Sequence, residues 1–256
     1  MNSESFLKRA AGARRSGSRA ELPRHDLPAV AVMARAPRPG AVKTRLCPPL
    51  THAEAADFYA CVLQDVLDHL ARSERWDTWV AYAERSRGYF ARFPELTTTL
   101  LPQRGDSLGA RMHGVFTDLR DEGYRQVVVV GSDIPTLSAG AVGSACELLR
   151  QDACDVVLGP ADDGGYYLIG LNRPVEELFQ GVAWSTATVL DQTLDKARRL
   201  GLRVRTVART YDVDSAADLE RLRRDFEASA DLRAGRPRTR RWLLEWASLA
   251  DGRESG

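Results

Sequence analysis

Acidic residues in this chain recur where a turn would present them at the end of a buried strand. The clearest case is Val127-Val128-Val129-Val130, followed by Gly131-Ser132-Asp133-Ile134-Pro135. Four consecutive β-branched residues predict a strand buried on both faces, as in the middle of a parallel sheet. Ligands of such sheets sit beyond the carboxyl ends of the strands, where Asp133 stands. An acid there can hold a divalent cation; an Asp there can also cap a turn through its own backbone. A second case is Asp162-Asp163-Gly164-Gly165-Tyr166. It offers Asp163 as a general base, two glycines that leave room for a substrate, and Tyr166 as a binding wall, or else a plain Asp-Gly turn. The third is Tyr211-Asp212-Val213-Asp214, whose two acids point the same way if the chain is extended. With Asp133 they would complete an oxygen-rich Mg2+ or Mn2+ site. Ser215 and Asp218 form a capping box, so Asp218 is assigned to structure.

Cations gather elsewhere. The segment 34–46 carries Arg35, Arg38, Lys43 and Arg45 and no acid. A loop after the first strand of an α/β sheet commonly holds phosphates, and Arg35, Lys43 and Arg45 could neutralise a diphosphate or triphosphate. The alternative is a solvated basic loop. The segment matches neither the P-loop nor the dinucleotide-binding glycine motif. Lys43 has no apolar partner pattern, which predicts that its loss weakens nucleotide binding while leaving the fold intact, with a change in stability below about 0.5 kcal/mol. A further turn, 103–112, holds Gln103, Gly105, Gly109 and Arg111. It suits close approach of backbone to a ligand, or a helix start capped by Asp106 or Ser107.

The elements that must position these groups alternate. Strands are expected at 29–34, 78–82, 97–101, 127–130, 155–159 and 203–207, with an extended apolar segment at 165–171. Helices are expected from the capping box Thr51–Glu54, at 107–120, 139–150, 186–200 and 215–226, and a short amphipathic one at 242–249. The pattern predicts a three-layer α/β/α fold with a mostly parallel central sheet. The fifth strand is expected beside the fourth, which would bring Asp163 near Asp133. Residues 1–27 are expected as a mobile tail, 28–227 as the domain, and 228–256 as a C-terminal appendage packing Trp242, Leu243 and Trp246.

The chain has 256 residues and a net charge of +1, so no nucleic acid or other strong polyanion is implied. Cys47, Cys61, Cys146 and Cys154 show no C-x-x-C spacing and are expected as free thiols in a cytoplasmic protein. No apolar run approaches a membrane span, and the basic N-terminus lacks the apolar stretch of a signal peptide.

Taken together, these motifs resemble those of the rSAM/selenodomain-associated transferases, a group with the nucleotide-diphospho-sugar transferase (GT-A) fold. The residues that carry the resemblance run from about Ala29 to Leu222. They are Arg35-Ala36-Pro37 with Gly40-x-x-Lys43-Thr44-Arg45-Leu46, Gln103 with Leu108-Gly109-x-Arg111-Met112, and Val130-Gly131-Ser132-Asp133-x-Pro135. Gly159-Pro160-x-x-Asp163-Gly164-Gly165-Tyr166, Trp184-Ser185-Thr186 and Asp212-Val213-Asp214 complete them. More distantly the pattern is similar to phospholactate guanylyltransferases and CMP-sugar synthetases. The resemblance implies Asp133 and Asp214 as metal ligands and Lys43 as a phosphate contact. It further implies Arg35, Arg45, Gln103, Gly109, Arg111 and Ser132 around a nucleotide, and Gly164, Gly165, Tyr166, Trp184 and Thr186 around an acceptor. The chain lacks the Leu-Ala-Gly-Gly start of many nucleotidyltransferases and has Gly131-Ser132-Asp133 where glycosyltransferases commonly have D-x-D.

The leading expectation is a metal-dependent glycosyltransferase acting on a nucleotide sugar and a small acceptor, with Asp163 as base. The second is a nucleotidyltransferase joining an NTP to a small phosphorylated substrate with pyrophosphate release. The third is a non-catalytic nucleotide-binding module.

Overall fold

The computed structural model describes residues 25–92 and 99–254. The N-terminal tail, apart from its last residues, and the first two positions of the strand expected at 97–101 lie outside the described residues. Strands are β1 (Ala29–Ala34), β2 (Asp77–Tyr82), β3 (Thr99–Pro102), β4 (Val127–Gly131), β5 (Val156–Pro160), β6 (Tyr166–Leu171) and β7 (Val204–Thr206). Helices are α1 (His52–Ala71), α2 (Arg87–Phe90), α3 (Leu108–Asp121), α4 (Ala139–Arg150), α5 (Val189–Arg199), α6 (Ala216–Ala228), α7 (Ala230–Gly235) and α8 (Pro237–Glu254).

The strands form one sheet in the order β3-β2-β1-β4-β6-β5-β7. All pairings are parallel except those of β6, which is antiparallel to both β4 and β5. The sheet has the mostly parallel character that the alternation of elements predicts. One placement differs: β5 is not the neighbour of β4, because β6 lies between them. The chain leaves β5 at Pro160, turns over 161–165, and comes straight back as β6. A five-residue connection suits an antiparallel return and is too short for a parallel crossover.

The valine run explains the layers. Val128 and Val130 face the core that also holds Phe58, Val62 and Leu63 of α1, Val142 of α4 and Leu219 of α6. Val127 and Val129 face a second core with Val115 and Phe116 of α3 and Ala197 of α5. Side chains alternate across a strand, so a central strand between two helical layers is apolar at every position. Both capping boxes form: Thr51 with Glu54 opens α1, and Ser215 with Asp218 opens α6. Ser107, not Asp106, caps α3. Helix α8 lies against α1, with Trp242 beside Phe58 at a ring-centroid distance of 5.0 Å. All four cysteines are unpaired. Among the described residues no helix is long and apolar enough to cross a membrane.

Candidate active site

The carboxyl ends of β1, β4 and β5 open into a cavity of about 710 Å3. This is within the range of small-molecule sites, about 300–1,000 Å3. Its wall includes Arg35, Lys43, Arg45, Gln103, Arg111, Ser132, Asp133, Asp163, Gly165, Tyr166, Trp184, Ser185, Thr186, Asp212 and Asp214. Segments distant in sequence therefore meet at one place. β6 separates their parent strands, yet Asp163 still shares this wall with Asp133, because the 161–165 turn sits at the same end of the sheet.

The centre of the site is an ion cluster. Lys43 Nζ lies 3.0 Å from Asp133 Oδ2 and 2.9 Å from Asp214 Oδ1. Arg45 Nη1 lies 3.2 Å from Asp214 Oδ2. The expectation that Lys43 could be lost at little cost to stability is corrected here: its side chain is 4 % exposed and paired with two carboxylates. Val42, Leu46 and Leu50 of the same loop are buried in the core beneath it. They draw the loop inward, and a short 3-10 turn at Thr44–Leu46 follows Lys43, which takes left-handed backbone angles (φ 47°). Burial works to lower the Lys43 pKa, but the two carboxylates outweigh it and the net shift is upward, so the ammonium is fully charged at neutral pH. Burial likewise works to raise the Asp133 pKa, and the adjacent ammonium reverses it to a net decrease.

Negative charge is not balanced around the whole cluster. Asp212 is pushed up to about 6 by burial and by the carboxylates of Asp163 and Asp214. A divalent cation would relieve this repulsion, and oxygen donors suit Mg2+ or Mn2+. Among the described residues no group of three or more His, Cys, Asp or Glu side chains converges to form a complete cage. Asp133 and Asp214 do converge: both touch one nitrogen atom. Mg2+ is usually bound by one or two carboxylates, with water and substrate phosphates as its other ligands. The two aspartates fit that mode.

Several expected contacts have other work. Gly109 is packed so closely that a Cβ would lie 2.8 Å from the Trp184 indole and from the Phe179 carbonyl, so its bareness admits Trp184 and not a ligand. Gly164 has φ +85°, and a Cβ there would overlap the carbonyl of Ala187. The room expected for a substrate is filled by that backbone. Ser132 lines the cavity but is buried, and its hydroxyl is bonded to the Tyr59 hydroxyl at 2.7 Å, so it also braces the strand end. Gln103 lines the cavity while its Nε2 donates to the carbonyls of Ala81 (2.7 Å) and Ala34 (3.4 Å). Arg111 Nε donates to the Gly105 carbonyl at 3.0 Å, which fixes the guanidinium at the wall. Asp163 Oδ1 accepts from the Gly165 amide at 2.8 Å. Asp162 pairs with Arg221 at 2.7 Å. Thr186 Oγ1 donates to the Ala183 carbonyl at 2.7 Å. Tyr166 and Trp184 meet edge to face, with ring centroids 6.4 Å apart.

One participant escapes a reading of the sequence, and another shows there only as part of a motif. Tyr59 belongs to the apolar face of α1, but its hydroxyl reaches Ser132 and accepts from the Arg35 amide at 3.3 Å. Burial pushes it up to about 12, so it stays a neutral brace. A Tyr among Leu and Val on a buried face is itself a signal, since a buried phenol needs a partner. Ser185, inside the Trp184-Ser185-Thr186 motif, lines the cavity wall with φ +64°, a left-handed backbone that the motif does not reveal.

Residues 66–186 match a family described as an uncharacterized protein conserved in bacteria, DUF2064. The matched stretch contains Asp133 and Asp163 but not Lys43 or Asp214. A crystal structure from Desulfovibrio desulfuricans G20, provisionally described as a nucleotide-diphospho-sugar transferase, is 33 % identical. The similarity covers 87 % of this chain and 96 % of that one, with a TM-score of 0.79. A cytidylyltransferase from Leptospira borgpetersenii serovar Hardjo-bovis (strain JB197) is 10 % identical over 90 % of this chain and 96 % of its own, with a TM-score of 0.53. A CMP:2-keto-3-deoxy-manno-octonic acid synthetase solved with CTP is 14 % identical over 79 % and 99 %, with a TM-score of 0.51. At these identities the last two share the fold. No curated protein matches the chain in sequence.

Proposed function

The chain belongs to the DUF2064 family, and from that membership and the geometry of the cavity we propose a metal-dependent glycosyltransferase. It moves a sugar from a nucleotide sugar to a hydroxyl of a small acceptor. The observation that carries this reading is the meeting of Lys43, Asp133 and Asp214 on the wall of a ligand-sized cavity at the strand ends. The relative described as a nucleotide-diphospho-sugar transferase supports the donor class.

Asp133 and Asp214 would hold a Mg2+ or Mn2+ ion, which supplies charge neutralisation to the leaving diphosphate. Lys43 and Arg45 face the same position and stabilise the negative charge that grows on the phosphate oxygen as the bond to the sugar breaks. Arg35 and Arg111 line the remaining wall and suit the outer phosphate and ribose, with Gln103 beside them. Asp163 is the base. Its Oδ1 is held by the Gly165 amide, which leaves Oδ2 to accept the acceptor's hydroxyl proton as that oxygen bonds to the sugar carbon. Gly165, Tyr166, Trp184 and Thr186 form the acceptor side.

A second reading, nucleotidyl transfer to a phosphorylated substrate, draws on four cations, Arg35, Lys43, Arg45 and Arg111, around one cavity. These would equally suit a triphosphate. Product analysis separates the two. The purified chain, Mn2+ and a panel of nucleotide sugars with hydroxyl acceptors should yield free nucleoside diphosphate and glycosylated acceptor. The reaction should be abolished by EDTA and by Asp133→Asn. Pyrophosphate from an NTP would assign the second reading, and metal-dependent binding without turnover of any pair would overturn both.

A further inference from the structure

The turn that carries Asp133 toward the cavity is gripped from outside the sheet. Arg236, between α7 and α8, is 2 % exposed. Its Nε donates to the Pro135 carbonyl at 2.9 Å, its Nη2 donates to the Leu137 carbonyl, and its Nη1 donates to the Gly235 carbonyl at 2.9 Å. One planar guanidinium thus fixes the distance and plane of two carbonyls that begin two residues after Asp133. The rest of this turn is tied as closely. Thr136 Oγ1 shares a hydrogen bond of 2.6 Å with Thr210 Oγ1, at the start of the segment leading to Asp212 and Asp214. Ala139 donates its amide to His69 Nε2 at 3.2 Å. Burial, with Arg236 and Arg72, holds His69 down to about 4, so it accepts as a neutral ring.

The C-terminal segment that delivers Arg236 is itself locked. Asp65 of α1, fully buried, accepts from the Thr239 amide and hydroxyl, each at 2.8 Å, and from Arg238 Nη1 at 3.3 Å. Burying a guanidinium against carbonyls is expensive compared with filling the space with apolar atoms. Its advantage is geometric: a rigid fork leaves the two carbonyls little freedom.

We infer that Arg236 is a positioning residue. Through the carbonyls of Pro135 and Leu137 it sets the turn over 133–137 so that the Asp133 carboxylate converges with Asp214. The C-terminal segment then acts as a strap on the metal side of the cavity. This rests on the proposed role of Asp133 in holding a divalent cation.

The test titrates the full chain with Mn2+ alone, reading free Mn2+ by electron paramagnetic resonance well below the melting temperature of every variant. Arg236→Met keeps the bulk and removes the grip on both carbonyls. Leu243→Ala loosens the same C-terminal helix and keeps the guanidinium that bonds the turn's carbonyls. Groups hydrogen-bonded to a metal ligand change metal affinity by about 10–100-fold; Arg236 acts through the backbone beyond that ligand, so Arg236→Met should bind Mn2+ about tenfold more weakly, the low end of that range. Leu243→Ala, despite a lower melting temperature, should bind as wild type does. Amide hydrogen exchange over 133–139 should accelerate in Arg236→Met and not in Leu243→Ala. Equal affinity of Arg236→Met and wild type, or equal losses in both variants, overturns the role. If Arg236→Met does not fold, Arg236→Lys replaces it, since one ammonium cannot reproduce the fork; wild-type affinity there overturns the role equally. A wild-type chain that binds no Mn2+ sinks the metal reading itself and this role with it. Wild-type binding with an unaffected variant sinks only the role of Arg236.

Discussion

Replacing Lys43 with Ala tests the centre of the site most directly. The change removes an ammonium that touches two carboxylates and whose own side chain is 4 % exposed. Removing one partner of a buried ion pair costs about 3–5 kcal/mol, because the remaining charge is left uncompensated. Here the carboxylates are less enclosed than the lysine, with 40 % of the Asp133 side chain and 32 % of that of Asp214 exposed. Water can reach them, so the loss falls at or below the bottom of that range, at about 2–3 kcal/mol. For a fold of this size that is a fall in Tm of roughly 4–12 °C. The pH dependence has a definite sign. Lys43 has a raised folded-state pKa, so its contribution is present throughout the range below 10.5 and fades only in strongly alkaline solution. Asp133 has a lowered one, so its share is present above 3.8 and is lost as pH falls through the folded-state value. The difference between wild type and variant should therefore be full at pH 7 and shrink below about pH 4. Urea unfolding at several pH values in EDTA measures it. Millimolar Mg2+ should restore part of the loss, since a divalent cation can take the place of the missing ammonium between the two aspartates. A loss below about 0.5 kcal/mol at pH 7, the range of ordinary surface substitutions, would refute the buried ion cluster.

Three further outcomes follow from individual residues. Asp163→Asn should bind Mn2+ and nucleotide as wild type does yet transfer at least about a hundredfold more slowly; loss of metal binding in a calorimetric titration would make Asp163 a ligand instead. Asp212 has a folded-state pKa of about 6, above its ordinary 3.8. In metal-free protein the native state therefore holds the extra proton, and stability should fall as pH rises from 4 to 6. Asp212→Asn should flatten that slope in a series of thermal melts. Gly164→Ala places a methyl group on the Ala187 carbonyl at a positive φ. It should lose at least about 1–3 kcal/mol by overpacking, and a variant melting as wild type does would show that the turn is looser than the packing implies.

The sequence alone determines the framework. A run of four β-branched valines bounded by turn residues reads as a central strand buried on both faces, and Val127 to Val130 do alternate between the two cores. Capping boxes are equally local: Thr51 with Glu54 and Ser215 with Asp218 need only three residues' separation to declare themselves. The loops that follow strands, and hence the end of the sheet where the acids and cations gather, follow from the order of those elements. What tertiary structure decided is which of these groups are enclosed and what they touch. The antiparallel insertion of β6 between β4 and β5 depends on strand pairing, which no single segment encodes. Lys43 looks like a solvated loop cation until Asp214, 171 positions away, closes on it. Arg236 looks like one more arginine of a basic stretch until its guanidinium meets Pro135 across 101 positions. Gly109 and Gly164 look like room for a ligand until Trp184 and Ala187 occupy it. Propensity, capping and hydrophobic period act over a few residues. Burial, ion pairing and close approach are set by neighbours that only the completed packing brings together.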